Sequence, residues 1–369
     1  MDKFVETLNY IWPFLAVITP VVFFHELGHY LVARWNRVSV EVFSIGFGPE
    51  LFGFNDRLGT RWKFSLLPLG GYVKFLGDSN VASTSPADNS DEMTPEDQAK
   101  CFQNKSVGQR SAVAVAGPIA NFILAVVIFA ILFATIGQQI TPAIVGAVIE
   151  DSAAEQAGLQ AGDKFILING NEITRFEDIQ AVVLMNLGEE LVVVVLRDGE
   201  ELVLQVTPRM VAARDTFGNE TQRPLLGVSV PQVAFIQHDP ATAIWQAVKQ
   251  TAYVISATGK AVGQMITGAR STDDLGGPIR IAVMSSQVAA GGIAGLAFFL
   301  AVISISLGLI NLVPIPVLDG GHLLFNFFEV LLGRPLKPQI QNIGQMVGLV
   351  LIIALMVWVT GKDILGLAS

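Results

Sequence analysis

The sequence predicts a polytopic α-helical membrane protein: four transmembrane helices, with a membrane-associated β-hairpin region and one small α+β domain inserted between them. Three observations carry this. First, the 369 residues are 51% hydrophobic and only 15% charged, where ordinary soluble domains carry roughly 25% charge, and mean hydropathy is +0.54. Second, four runs, roughly 9–33, 111–136, 293–314 and 343–360, reach the ~20 apolar residues that cross a hydrocarbon core. Third, the polar stretch 137–292 between the second and third runs alternates like strands around short helices.

Charge and cysteine content narrow the classes. The net charge of −9 arises largely in stretches such as "SPADNSDEMTPEDQ" (85–98), a solvated acidic loop, so no nucleic-acid partner is expected. Cys101 is the single cysteine and excludes an intrachain disulfide. Only Lys3 precedes the first apolar run, and no small-residue cleavage site follows it, which predicts a retained anchor. The loop between the first two spans holds Arg34, Arg37, Arg57, Arg61, Lys63, Lys74, Lys100, Lys105 and Arg110, and the loop between the last two holds Arg334 and Lys337. The positive-inside rule turns both loops to the cytoplasm and puts both termini and 137–292 on the other side.

Within 137–292, Ser152 with Glu155 and Thr174 with Glu177 each read as a capping box, Gly158 as a helix stop, and Asp198-Gly199 as the turn of a hairpin in "LVVVVLRDGEELVLQV". About 70 residues of this order, "AGLQAGDKFILINGNEI" above all, resemble a PDZ domain of the bacterial protease type. The resemblance implies a groove that takes extended peptide or a C-terminus by strand addition. Residues 211–235 read as a linker ending in a short strand. Residues 239–268, with Trp245 and Tyr253, read as an amphipathic helix that lies on the membrane surface or packs in the outer region. Residues 276–292 read as a Gly-bounded helix.

Chemistry concentrates in "HELGH" (25–29), inside the first span, where an ionisable residue costs about 2.5–3.5 kcal/mol or more and marks function by default. His25 and His29 are one helical turn apart, about 5–6 Å at Cβ, so both imidazoles reach one zinc ion. Glu26 stands beside them as the candidate general base, and a catalytic zinc with three protein ligands keeps one open position. The third ligand is sought in "NLVPIPVLDGGH" (311–322), where Asp319 and His322 lie at similar depth, because the first and third spans both end on the cytoplasmic side. His238 lies on the opposite side. Pro314 and Pro316 break the helix there and free backbone.

HELGH in the first span and "NLVPIPVLDGG" in the third, with "FSIGFGPELF", "SLLPLGGYVKFLGD" and "AGPIANF", closely resemble the site-2 protease family of intramembrane zinc metalloproteases, bacterial regulator of sigma-E protease branch, in a single-PDZ form. The resemblance implies Zn2+ held by His25, His29 and Asp319, with Glu26 catalytic. It further implies that Asn311, Gly46, Gly48 and Asn121 support substrate, although Asn121 also fits simple helix packing. The strand-like pair "VEVFSIGFGPELFGF" and "RWKFSLLPLGGYVKF" around "NDRLGT" reads as a hairpin, and the resemblance implies that it offers a sheet edge to an unwound substrate helix.

The resulting division is 1–36, first helix with HELGH; 37–106, cytoplasmic-side loop with hairpin; 107–137, second helix; 138–210, PDZ domain; 211–292, linker and amphipathic helix; and 293–369, third and fourth helices with LDGGH. The function expected is hydrolysis of a peptide bond in or near the membrane segment of single-pass proteins of the anti-sigma type, after a first extracytoplasmic cut, in the bacterial inner membrane. Two other classes compete. A metal transporter predicts polar residues along a path through several spans, and an inactive PDZ scaffold predicts loss of Glu26 or a ligand. Neither pattern is present.

Overall fold

The structure, a computed structural model, describes residues 2–78, 93–186, 188–214, 220–229, 234–267 and 276–368. The acidic segment expected as a solvated loop lies mostly outside the described residues. The chain forms two compact units, Phe133–His238 and the remainder.

The larger unit begins with α1 (Asp2–Trp35), which contains Pro13 and Pro20. It continues into a long antiparallel hairpin, β1 (Val40–Asn55) and β2 (Arg61–Phe75), whose register is shifted repeatedly by bulges. Asp56 builds the turn of "NDRLGT": its Oδ1 accepts the Leu58 and Thr60 amides at 2.8 and 2.9 Å, and its Oδ2 accepts Tyr30 Oη and Trp62 Nε1 at 2.9 and 3.0 Å. A single carboxylate therefore closes the turn and ties it to α1. The base of the hairpin packs on α1 through Tyr30, Ala33, Phe43, Ile45, Val73 and Phe75. After α2 (Pro95–Lys100), capped by Thr94, comes α3 (Val107–Thr135).

In the smaller unit β3 (Gln138–Ile140) leads to α4 (Ala153–Gln156), β4 (Lys164–Ile168), β5 (Asn171–Glu172), α5 (Phe176–Met185), β6 (Leu191–Arg197) and β7 (Glu200–Val206). β8 (Arg209–Arg214), β9 (Glu220–Leu225) and β10 (Ala234–Ile236) follow. A four-stranded sheet runs β5-β4-β6-β7, and Asp198 and Gly199, both at positive φ, form its β6–β7 turn. Ser152 caps α4 as expected, and at the second expected box, whose Glu177 side chain lies outside the described residues, the Asp178 carboxylate accepts the Thr174 and Arg175 amides. The expected linker over 211–235 is a further difference. β8 pairs with β9, Leu226 enters the core beside Phe165, Ile168 and Val193, and Ser229 donates to the Ala147 carbonyl. Strand composition alone hides this, because the segment is closed by partners about 70 residues earlier in the chain. β10 pairs with β3 and brings the two ends of the unit together.

The larger unit resumes with α6 (Pro240–Ile266), capped by Asp239, α7 (Pro278–Ala290) and α8 (Ile293–Asn311). A broken segment, 312–318, with Val317 at φ 94°, precedes α9 (Asp319–Leu332), which stops at left-handed Gly333 before α10 (Pro338–Ala368). Among the described residues, four helices are long and apolar enough to cross a membrane, covering Tyr10–Trp35, Val107–Thr135, Ile293–Asn311 and Gln339–Ile364. α1 packs against α7 and α8.

Candidate metal centre

α1 presents His25 and His29 on one side, and their Nε2 atoms lie 3.3 Å apart. The break after α8 turns the first residue of α9 toward them: Asp319 Oδ2 is 3.2 Å from His25 Nε2, and Oδ1 is 3.4 Å from His29 Nε2. Two ligands of a tetrahedral zinc with bonds near 2.0–2.1 Å are separated by about 3.3–3.4 Å. The three side chains thus already have the spacing of ligands sharing one ion, and among the described residues they form the group with metal-ligating chemistry. Asp319 Oδ2 is buried and has no hydrogen-bond partner, a costly state for a carboxylate unless a cation joins it.

The surroundings prepare the imidazoles. His29 Nδ1 donates to the Val113 carbonyl at 2.8 Å, which leaves the Nε2 lone pair facing Asp319. His25 Nδ1 lies 3.2 Å from the Asn121 amide, whose Oδ1 is buried without a partner. With that oxygen turned to the ring, Asn121 accepts the Nδ1 proton and leaves the His25 Nε2 lone pair facing Asp319 as well. Gly117 makes room: a Cβ there would overlap His29 Nε2 and lie 2.8 Å from His25 Cε1.

These groups face a cavity of about 710 Å³ whose wall includes His25, Glu26, His29, Asn311, Asp319 and His322. Asn311 Nδ2 is 3.5 Å from His25 Nε2. Asn121 is fully buried, with its side-chain amide against the His25 ring. Gly46 and Gly48 stand in β1 at positive φ and flank Phe47, which lines the cavity. The hairpin residues on the wall are Phe47, Gly70–Val73 and Phe75. Gly71 is close-packed at Glu26, where a Cβ would lie 3.0 Å from the Glu26 Cγ and 2.8 Å from the Ser44 carbonyl. "PLGGYV" carried this signal in its paired glycines. The start of α7, Gly276 to Pro278 with Ile281, also lines the cavity, and nothing local in the sequence announced it. His238 is in the smaller unit, with Nε2 3.1 Å from Gln138 Oε1.

The model of peptidase family M50 matches residues 13–355. The chain belongs to peptidase family M50. A candidate zinc metalloprotease of Agrobacterium fabrum is 43% identical over 96% of both chains, and one of Mesorhizobium japonicum is 40% identical over 96% of this chain and 98% of its own. The metalloprotease MmpA of Caulobacter vibrioides is 35% identical, covering 95% of this chain and 94% of that one. A solved PDZ domain of an SdrC-like protein from Listeria monocytogenes is 20% identical over 24% of this chain and 87% of its own, with a TM-score of 0.20. As an M50 peptidase of the site-2 protease type, the protein is an integral membrane zinc metalloprotease.

Proposed function

We propose that His25, His29 and Asp319 hold the zinc and that Glu26 is the general base for hydrolysis of a peptide bond in or near the membrane segment of a single-pass protein. The observation that carries this reading is the 3.2–3.4 Å spacing of the three side chains around one point inside the first span. Zinc bound by three protein groups supplies a Lewis acid that polarises a carbonyl and acidifies water. Glu26, on the same cavity, takes the proton from the attacking water and passes it to the leaving amine. Asn311 offers an amide donor beside His25 for the oxygen on which charge develops.

A transmembrane helix keeps its peptide bonds in internal hydrogen bonds, so the substrate must unwind before it is cut. The Gly70–Val73 stretch of β2, on the cavity wall, presents backbone groups that replace the lost bonds. Substrates are single-pass proteins of the anti-sigma type. The outer domain acts as a PDZ filter that admits them after a first cut has removed their bulk, and the membrane is the bacterial inner membrane, with the centre toward the cytoplasm. The supports are the basic loops 34–110 and 334–337 and the polar insertion between the second and third spans.

The test is cleavage by the purified full chain of a tagged single-pass substrate, with its outer domain intact or truncated, mapping the cut by mass spectrometry. A cut inside the membrane segment of the truncated form, stopped by chelator and restored by zinc, is expected. A cut confined to exposed loops, or one indifferent to chelator, would refute the reading.

A further inference from the structure

Asp319 is the only one of the three proposed ligands outside α1, so its place depends on how α9 is held. The outer surface of α9 gives little hold: Phe327, Phe328 and Leu331 are 57%, 44% and 64% exposed. The opposite side carries Asp319, His322, Asn326 and Glu329, spaced i, i+3, i+7 and i+10 and therefore aligned in one stripe. α3 carries a matching stripe: Arg110, Ala114, Gly117 and Asn121. At the end of α9 remote from the zinc ligands, Arg110 Nη2 donates to Glu329 Oε1 at 2.7 Å, with both side chains nearly buried (13% and 12% exposed). Arg110 Nε also donates to the Lys105 carbonyl at 3.2 Å, and Asn326 Nδ2 donates to Ser111 Oγ at 3.0 Å. Along the same α3 stripe, one to two turns further on, the Val113 carbonyl and Gly117 fit the His29 ring.

We propose that the Arg110–Glu329 ion pair, with Asn326–Ser111, is a positioning clamp that registers α9 on α3 and thereby holds Asp319 against His25 and His29. Arg110 and Glu329 touch neither substrate nor metal. Glu329 is ten residues from Asp319, about 15 Å along the helix. Charge-assisted pairs in a low-dielectric setting hold geometry tightly, and removing one partner leaves the other uncompensated. The slide or rotation of α9 that follows moves Asp319, while α1 keeps both histidines. Groups that orient a ligand commonly change metal affinity by 10- to 100-fold.

The inference rests on the proposed ligand set, and the test separates the two. Zinc affinity of the detergent-purified full chain is measured by competition with a chromogenic chelator for wild type, Asp319→Ala, Glu329→Gln, Arg110→Gln, Ser111→Ala and the reversed pair Arg110→Glu/Glu329→Arg. The expected result is one tight zinc in wild type, gross loss in Asp319→Ala, a 10- to 100-fold loss in Glu329→Gln and Arg110→Gln, a several-fold loss in Ser111→Ala, and recovery toward wild type in the reversed pair. A merely structural pair would lower the melting temperature of the zinc-free protein and leave the affinity of the folded fraction unchanged. Wild-type affinity in Glu329→Gln, Arg110→Gln and Ser111→Ala, with Asp319→Ala still defective, overturns the clamp and keeps the ligand set. Wild-type affinity in Asp319→Ala overturns both. Should the reversed pair not fold, Ser111→Ala decides, since it removes one neutral acceptor and no charge.

Discussion

At the residue scale, the proposed site depends on two single-atom decisions: an acid that moves a proton and a missing Cβ. Glu26→Gln keeps the shape of the side chain but cannot accept a proton, so the rate of peptide hydrolysis should fall by about 10²–10⁴-fold while bound zinc, measured by elemental analysis, stays at the wild-type level. Gly117→Ala should do the reverse kind of damage. Its methyl group would displace the His29 ring from the Val113 carbonyl, and metal should be lost from a protein that still folds. HELGH could be read directly, because packing alone gives an apolar run no reason to carry two imidazoles and a carboxylate at metal-ligand spacing, whereas the residues of LDGGH left Asp319 and His322 both open and only the family resemblance pointed to Asp319. Gly117 could not, since a glycine in an apolar helix fits packing equally well until the ring it faces is known. Glycines sit in both strands of the hairpin, and only the folded pairing shows that Gly71 packs on Glu26.

At the element scale, the hairpin turn and the four-stranded sheet of the smaller unit each depend on one carboxylate. Burial works against ionisation of Asp56, but hydrogen bonds from Trp62, the Thr60 amide, Tyr30 and the Leu58 amide outweigh it and hold the carboxyl at about 2. An unfolded aspartate titrates near 3.9, so the turn's stabilisation is complete above about pH 4 and is lost as pH falls through about 2. Hydrogen exchange of the Leu58 and Thr60 amides, corrected for intrinsic rates, should show protection falling over that window; unchanged protection at pH 2 would contradict the assignment. In the smaller unit burial likewise opposes the charge on Asp163, but Arg197 and the Gln160 amide lower its pKa. Its carboxylate receives the Arg197 guanidinium at 2.6 and 2.7 Å. Asp163→Asn should cost the sheet about 2 kcal/mol, read as faster exchange of β6 amides, and leave zinc content untouched. Turn chemistry made the β6–β7 hairpin legible at Asp198-Gly199. The β8–β9 pair, though local in sequence, went unread, and the segment after it, Leu226 to Ser229, bonds to Ala147, Ile149 and Ala154, more than 70 residues earlier.

At the scale of the whole molecule, hydropathy alone yields four spans, and loop charge orients them. The account places the Asp198 turn outside the cytoplasm and the Arg57 turn on the cytoplasmic side. In a Cys101→Ser background, a membrane-impermeant maleimide should label Asp198→Cys in intact cells and Arg57→Cys only after permeabilisation; the opposite order would invert the topology. What the sequence left unread at this scale is which helices close the cavity. α7 begins there because the Asp363 carboxylate accepts the Gly277 and Arg280 amides at 3.3 and 3.0 Å, a contact between segments more than 80 residues apart. The central claim is that two imidazoles of α1 and the carboxylate of α9 share one zinc. Zinc-edge X-ray absorption on the purified chain measures this most directly. The account predicts a shell of nitrogen and oxygen ligands near 2.0–2.1 Å with an imidazole signature from two histidines, and a shell that changes or vanishes in Asp319→Ala. A sulfur ligand, or a wild-type spectrum in Asp319→Ala, would contradict it.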